Sequence, residues 1–126
     1  MIITRTPFRI SFAGGGTDLK AYYVKEEGKV ISTSIDKYIY VVIKRQIGIV
    51  EHKYRINWSK VEFKNSINDI EHPIVREALR LFEIDFPIEI TTFSDIPGQQ
   101  GLGPPSAFAV GIVHALYALK GERVSK

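Results

Sequence analysis

The feature that most constrains the fold of this 126-residue chain is an almost entirely apolar segment, Ala107 to Leu119. The segment has the length of a helix, and Gly121 stands where a glycine commonly ends one. A helix that is apolar around its whole circumference cannot face water. We therefore expect the helix from Ala107 to Leu119 to lie inside the molecule or between two domains.

Patterns typical of strands occupy much of the remaining chain. Phe8, Ile10 and Phe12 alternate with polar residues, which is the period of a half-buried strand. Two runs rich in β-branched and aromatic residues, 29–35 and 38–44, are predicted to form an antiparallel hairpin that turns at residues 36–37. Further strands are predicted at 53–58, 61–63 and 87–93.

Helices are predicted at 18–27, with Thr17 as its N-cap, and from Pro73 to Phe82, with the proline in the first turn. Strands thus dominate, with two to three helices between them. The expected architecture is an α+β fold with a mostly antiparallel sheet, in one domain that spans residues 1–126.

Composition favours a soluble globular protein, with 44% hydrophobic and 25% charged residues. No apolar run is long enough to cross a bilayer, and no signal peptide begins the chain. The absence of cysteine excludes disulfides and thiolate metal sites. We expect a cytoplasmic location and no membrane partner. The net charge of +3 is mild and is compatible with an anionic ligand such as a nucleotide.

The glycine-rich segment 95–107 follows a predicted strand and opens the apolar helix. Its glycines, Gly98, Gly101 and Gly103, allow the backbone to approach a phosphate closely. The start of the helix adds unpaired N–H donors and a partial positive charge. The segment lacks the Gly-Lys-Ser/Thr ending of a Walker A loop. A tight strand-to-helix turn without a ligand explains the same residues, so both interpretations stay open at this point.

Two motifs resemble those of a known family. Pro97, Gly101-Leu102-Gly103 and Ser106-Ala107 are similar to the phosphate loop of the GHMP kinases. The segment Thr4 to Leu19, which contains Gly14-Gly15-Gly16, resembles the opening segment of the heptose-phosphate branch of that family. Two motifs in the expected order are more specific than either alone.

The resemblance implies the amino-terminal, ATP-binding domain of a small-molecule kinase, with a fold shared with a ribosomal-protein domain. Such a kinase transfers the γ-phosphate of ATP to a sugar hydroxyl, with Mg²⁺ as the metal. The implied nucleotide-binding residues are Pro97, Gly98, Gln99, Gln100, Gly101, Leu102, Gly103, Pro105, Ser106 and Ala107. The implied substrate-binding residues are Arg9, Gly14, Gly15, Gly16, Thr17 and Asp18.

The phosphate segment departs from the family pattern at three positions. Pro104 and Pro105 stand where the family has serines, and Gln99 replaces a usual glycine. Each proline removes one backbone N–H and one hydroxyl, and a lost donor at a charged transition state costs about 3–4 kcal/mol. In the family, a serine at the position of Pro105 helps to hold Mg²⁺, so Ser106 is the remaining candidate ligand.

The resemblance also implies that the family's catalytic aspartate and second glycine motif follow the helix that Ser106 opens. The sequence from that helix to Lys126 contains neither, so the aspartate is expected to lie beyond Lys126 and no residue of this chain is predicted to be catalytic. We therefore expect an incomplete kinase that lacks the carboxy-terminal domain and is inactive in isolation. Whether it is a truncated gene product or a fragment is left open.

Two other interpretations remain. Basic and aromatic residues interleave in one stretch, which could bind single-stranded nucleic acid, although a solvated hairpin face is the more common case. The residues are Lys44, Arg45, Lys53, Tyr54, Arg55, Trp58 and Lys60. Alternatively, the chain is a structural remnant that associates with another chain through the apolar helix 107–119.

Overall fold

The computed structural model describes residues 1–17, 19–96 and 104–121 and, of Pro104 and Pro105, the backbone alone. Within these ranges five strands alternate with three α-helices. The strands are β1 (Ile2–Ala13), β2 (Ile31–Arg45), β3 (Tyr54–Asn57), β4 (Val61–Lys64) and β5 (Ile88–Ser94). The helices are α1 (Lys20–Tyr23), α2 (Pro73–Leu81) and α3 (Pro104–Leu119), and a 3-10 turn (Ile67–Asp69) precedes α2.

The strands form one mixed sheet in the order β1-β2-β5-β3-β4. Every neighbouring pair is antiparallel except β3 and β5, which are parallel. Strand β5 enters between β2 and β3 after α2 has crossed the sheet. The predicted α+β architecture with a mostly antiparallel sheet is therefore confirmed.

Helices α2 and α3 cover one face of the sheet and enclose the core. Along β2, the side chains of Ile39, Val41 and Ile43 are buried at alternate positions, as the pleat requires. Phe108 and Leu116 of α3 are buried against them, together with Ala107, Ile112 and Ala115. One face of the apolar helix lies inside the molecule, whereas Val110, His114 and Ala118 on its other face are exposed. The predicted burial is therefore confirmed for one face only.

A close approach between α3 and the sheet explains the glycine in the middle of this helix. The Thr4 hydroxyl donates a hydrogen bond to the Gly111 carbonyl oxygen at 2.9 Å. A Cβ atom on Gly111 would lie 3.0 Å from the Thr6 hydroxyl and 3.2 Å from a methyl group of Val41. The helix can lie this close to β1 and β2 because that position has no side chain.

The predicted hairpin between residues 29 and 44 is wrong, because β2 runs through Asp36 and Lys37 as one 15-residue strand. Lys37 does not favour the positive φ angle that the second position of a two-residue hairpin turn needs. Strand β1 also pairs with β2 on both sides of this point, through Pro7 with Tyr38 and Arg9 with Ser34. A register shift between these two pairs accommodates the residues that had been assigned to a turn.

The first helix is shorter than predicted and Thr17 does not cap it. Helix α1 has four residues, and its N-cap position is Leu19, which makes no side-chain cap. The Thr17 hydroxyl instead lies within hydrogen-bonding distance of the Gly14 and Lys29 carbonyl oxygens, at 2.8 and 3.2 Å. The helix predicted from Pro73 is confirmed, with the proline in the first turn and His72 as its N-cap.

Candidate functional site

The topology brings the two glycine motifs to the same end of the sheet. Strands β1 and β5 both run antiparallel to β2, and β3 runs parallel to β5. Their carboxyl ends therefore point the same way. The first glycine motif follows β1, the second follows β5, and Trp58 follows β3.

A cavity of about 520 Å³ opens at this end, beside the last residues of β5. The residues that line it are mostly apolar, and three of these residues carry aromatic rings. The lining residues are Ile39, Trp58, Ser59, His72, Pro73, Ile74, Thr92, Ser94, Ile96 and Phe108. The first turn of α2 and the second turn of α3 both contribute, so two helix N-termini are directed toward the same region.

The three aromatic rings form one continuous wall. The ring centroids of Trp58 and His72 are 4.7 Å apart, in an edge-on arrangement. Those of His72 and Phe108 are 5.0 Å apart and tilted by 54°. Rings at these separations attract one another, and because their planes are inclined, each ring presents a separate face or edge. We name this group, Trp58, His72 and Phe108, the aromatic wall.

A buried carboxylate lies behind the aromatic wall. Glu62 is 3% exposed and is the only polar or charged residue that is buried among those the structure describes. Its Oε1 accepts hydrogen bonds from Trp58 Nε1 at 2.8 Å and from the His72 backbone N–H at 3.2 Å. Its Oε2 accepts one from the Glu71 backbone N–H at 2.7 Å. Three N–H donors thus replace the water that the carboxylate lost.

His72 caps α2 and is held in its neutral form. Its Nδ1 accepts a hydrogen bond from the Val75 backbone N–H at 3.4 Å, so the ring proton is on Nε2. Burial lowers the pKa of His72, and the negative charge of Glu62 opposes that effect in part. The neutral ring is the form that caps the helix, because a protonated Nδ1 could not accept this bond.

The first glycine motif forms a turn that is closed by its own backbone. The Thr17 backbone N–H donates to the Gly14 carbonyl oxygen at 3.2 Å. Gly14 and Gly16 have φ angles of +84° and +87°, which favour glycine. A Cβ atom on Gly14 would lie 1.8 Å from the Lys29 carbonyl oxygen. Gly15 and Gly16 are exposed, and Asp18 lies outside the described residues.

The other proposed substrate residue, Arg9, is exposed on β1 opposite Ser34. Beyond Ser94, β2 and β1 continue past the end of β5 as a two-stranded extension. We name this extension, residues 9–13 and 31–37, the arm. The first glycine motif lies at its tip, just after Ala13, which pairs with Ile31.

The second motif is described only at its two ends. Its entry is fixed to β2, since the Asp95 backbone N–H donates to the Tyr38 carbonyl oxygen and Asp95 Oδ2 accepts from the Tyr38 N–H. Residues 97–103, from Pro97 to Gly103, lie outside the described residues. Helix α3 begins at Pro104, so the two prolines do fit its first turn. Ser106 is exposed and Ala107 is buried.

No cluster of three or more His, Asp or Glu side chains suited to a metal ion occurs within residues 1–17, 19–96 and 104–121. In the same part of the chain, no helix is both long and apolar enough to span a membrane. The proposed roles of Arg9, of residues 14–18 and of residues 97–107 stay predictions.

Gly121, just after α3, is the last residue that the structure describes. Gly121 has a φ of +80°, as suits a glycine that follows a helix. Residues 122–126, up to Lys126, lie outside the described residues. The expectation that the family's catalytic aspartate lies beyond Lys126 concerns this end of the chain, and it stays a prediction.

Sequence reasoning missed most of the cavity. Glu62, His72 and Phe108 carried no motif, and Trp58 was noted only as part of a basic and aromatic stretch. No sequence signal points to Glu62, because alternation in β4 predicts that Val61 and Phe63 face inward, whereas the structure exposes both and buries Glu62. Tyr54, from the same stretch, is 2% exposed and donates to the Ile84 carbonyl oxygen, so its ring is not available to stack on a base.

Comparison with solved structures shows that this fold occurs in known kinases. The fold is that of a heptose 1-phosphate kinase from Bacteroides thetaiotaomicron, with a TM-score of 0.79 and 22% identity over 99% of this chain and 44% of that one. The mevalonate kinase of Methanococcus jannaschii also shares it, with a TM-score of 0.70 and 19% identity over 98% and 42% of the two chains. Both are kinases, and the shared fold is the amino-terminal fold that the GHMP resemblance implied.

Sequence comparison leads to a more particular relative. The chain is 34% identical to a D-glycero-alpha-D-manno-heptose 7-phosphate kinase of Campylobacter jejuni, over an alignment of 123 residues. That alignment covers 90% of this chain and 36% of the relative, so the chain spans about a third of that protein's length. No family model matches the sequence. The resemblance to the amino-terminal domain of GHMP-type sugar kinases is confirmed.

Proposed function

We propose that this chain is the ATP-binding part of a sugar or sugar-phosphate kinase that transfers the γ-phosphate of ATP to a sugar hydroxyl. The observation that carries the proposal is the aromatic cavity at the carboxyl end of β5. It lies where the glycine-rich segment leaves the sheet and where two helices begin. The names of the relatives, which are kinases of heptose phosphates and of mevalonate, support the same reaction class.

In this proposal the adenine base occupies the cavity. The cavity volume, about 520 Å³, is in the range of small-molecule sites, and its aromatic wall offers the faces and edges of its rings. The triphosphate leaves along residues 97–103 toward the start of α3. There the helix N-terminus favours negative charge even though the two prolines donate no N–H.

Magnesium fits this arrangement as an ion held mainly by the nucleotide. The described residues offer no carboxylate cluster for it, so the phosphate oxygens would supply most ligands and Ser106 would supply a hydroxyl. When bound, the ion would neutralise phosphate charge. The chain's own part is to bind the base, to orient the phosphates at α3 and to keep water from the apolar cavity.

The sugar acceptor would bind at the tip of the arm. Arg9, the glycine turn and Asp18 are the residues proposed for it, and exposed backbone at Gly15 and Gly16 allows close approach of a polyol. The tip lies beyond the end of β5, since Ser94 pairs with Ile39 and Ala13 with Ile31. A nucleotide must therefore extend from the cavity toward the arm for its γ-phosphate to meet the acceptor.

Nucleotide binding can be tested with the single tryptophan of the chain, Trp58, as the reporter. We expect ATP with Mg²⁺ to change Trp58 emission in a saturable way and to raise the midpoint of thermal unfolding. A single-stranded RNA is the control ligand. Binding of RNA that weakens with salt, without any response to ATP, would replace the proposal with nucleic-acid binding.

Two finer parts of the proposal concern the isolated chain. We propose that it has little phosphotransfer activity, because Pro104 and Pro105 remove donors from the phosphate site and the expected catalytic aspartate would lie beyond Lys126. We also propose that α3 could serve in association, although Val110, at 49%, is its only large apolar residue that is strongly exposed among those described. A monodisperse monomer in sedimentation would contradict the second point.

A further inference from the structure

Glu62 is buried without a cation beside it. Its carboxylate forms no ion pair among the described residues, and the nearby Lys60 and Lys64 pair with Glu71 instead. A buried carboxylate is costly unless hydrogen bonds compensate for the lost water. The three N–H donors around Glu62 provide that compensation. The charge of the Glu62 carboxylate therefore requires these donors in place, and the positions of the donors depend on that charge.

The donors come from two elements that meet at the cavity. Trp58 lies at the end of β3, in a turn where its backbone N–H donates to the Lys60 carbonyl oxygen at 2.9 Å. His72 lies at the start of α2. The same oxygen atom of Glu62 accepts from the Trp58 indole and from the His72 backbone. One atom therefore holds two of the three residues of the aromatic wall.

Among the described residues the indole N–H has no other acceptor, and the one cation near the ring, the Lys60 ammonium at 5.4 Å from its centroid, is an exposed side chain that pairs with Glu71. The edge-on packing of the indole against His72 is compatible with rotation about the side-chain bonds, whereas a 2.8 Å bond to a fixed carboxylate is not. Because bonds to an ionised acceptor are roughly twice as strong as neutral ones, the charge of Glu62 matters as well as its shape.

We infer that Glu62 is a positioning residue that holds Trp58 and His72 in the arrangement that accepts a nucleotide base. The inference rests on the proposed function, since it assigns a role to the wall of the proposed base cavity. Glu62 does not touch the ligand in this scheme. It acts on base affinity through the indole, and it has no direct effect on the phosphates.

Glu62→Gln tests the charge with little change in volume. The amide offers one acceptor oxygen in place of two and turns a donor toward the Glu71 or His72 N–H. Glu71→Gln is the matched control, since the side chain of Glu71 is 52% exposed and only its backbone contacts Glu62. Both variants are measured against ATP and against inorganic tripolyphosphate, with Trp58 emission and its quenching by acrylamide recorded alongside.

We expect Glu62→Gln to weaken ATP binding roughly tenfold, to leave tripolyphosphate binding unchanged and to make Trp58 more accessible to acrylamide. Glu71→Gln should match the wild type in all three measurements. Equal weakening of ATP and tripolyphosphate by Glu62→Gln would show a merely structural role and would overturn the inference. Unchanged ATP affinity would overturn it too.

The two proposals fail in different ways. A wild-type chain that binds neither ATP nor tripolyphosphate contradicts the proposed function, and the inference falls with it. A wild type that binds ATP while Glu62→Gln binds it equally well contradicts the inference alone. Should Glu62→Gln not fold, Trp58→Phe is the second variant, because it removes the indole N–H donor and keeps an aromatic ring. Calorimetry should then show weaker ATP binding and unchanged tripolyphosphate binding. An ATP affinity equal to that of the wild type would overturn the inference.

Discussion

At the residue scale, the neutral state of His72 links pH to stability. Because burial lowers its pKa in the folded protein, the unfolded chain binds a proton more readily. The stabilising contribution is therefore complete above the unfolded-state pKa of about 6.5 and is lost as the pH falls below it. Loss of the cap on α2 is the structural counterpart, because only an unprotonated Nδ1 accepts the Val75 N–H.

We expect the free energy of unfolding to fall as the pH is lowered from about 7 to about 5 and this fall to be smaller in His72→Asn. Asparagine can also cap a helix but does not titrate. Urea unfolding at several pH values measures the effect. Identical pH dependence in both proteins would show that His72 does not carry it.

Gly14 and Gly15 are adjacent but differ in what a side chain would meet. Gly14→Ala places a Cβ atom 1.8 Å from the Lys29 carbonyl oxygen at a positive φ, whereas Gly15→Ala has no atom within 4 Å of its Cβ. We expect Gly14→Ala to cost about 1–3 kcal/mol or to displace the turn, and Gly15→Ala to be close to neutral. Urea unfolding and hydrogen exchange at the Thr17 amide measure this. Equal behaviour of the two variants would contradict it.

At the scale of elements, α3 combines a close-packed middle with a weakened start. Its middle reaches the sheet through Gly111, and its first turn carries Pro104 and Pro105. Both prolines suit the geometry of a helix start and remove N–H groups there. The helix is therefore secure as a structural element and less well equipped as an anion site.

Gly111→Ala should lower the stability of the protein in spite of the better helix propensity of alanine, which is worth about 1 kcal/mol. The added Cβ would press on the Thr6 hydroxyl and on Val41, both within 3.2 Å. Overpacking of this kind costs about 1–3 kcal/mol. Thermal unfolding measures the net effect, with the exposed site Val110→Ala as the control. A more stable Gly111→Ala would show that α3 can move away from the sheet without cost.

Pro105→Ser should raise the affinity for ATP several-fold, because it returns one N–H and one hydroxyl to the start of α3. Pro105→Ala returns the N–H alone and separates the two contributions. Titration of Trp58 emission with ATP in the presence and absence of Mg²⁺ measures them. A gain for serine over alanine that requires Mg²⁺ would point to the hydroxyl as a metal ligand. No gain in either variant would mean that residue 105 does not face the phosphates.

At the scale of the whole molecule, one core unites sheet and helices, and the arm extends from it. The arm carries exposed apolar side chains, with Phe12 at 69% and Ile31 at 67%. The candidate base cavity lies at the junction of core and arm. In the proposed function, a nucleotide would therefore bind to the packed part of the fold and an acceptor to the open part.

Because α2, α3 and four of the five strands share this core, and β4 is paired to β3, we expect the chain to unfold as one domain. Circular dichroism reports the whole molecule, and Trp58 emission reports the cavity. The two should give coincident urea transitions. Loss of the Trp58 signal at lower urea than the loss of secondary structure would show that the cavity opens independently of the core.

The amino-acid sequence by itself determined the apolar helix, the entry of α2 at Pro73 and the turn of the first glycine motif. These depend on local periodicity and on residues with special backbone geometry, which can be recognised within one segment. Local patterns failed at Asp36-Lys37, where pairing with β1 on both sides keeps β2 extended. They failed again at Thr17, whose hydroxyl bonds to carbonyl oxygens of the turn and of residue 29 instead of capping a helix.

Only the tertiary structure decided the candidate cavity. Trp58 and Glu62 are neighbours in the hairpin of β3 and β4, but His72 and Phe108 lie on two other segments, and no spacing along the chain relates the three. The order β1-β2-β5-β3-β4 sets the ends of β3 and β5 side by side and turns the starts of α2 and α3 toward them. A buried carboxylate with three N–H donors exists only once those segments have met, because each donor is solvated by water until the fold removes that water.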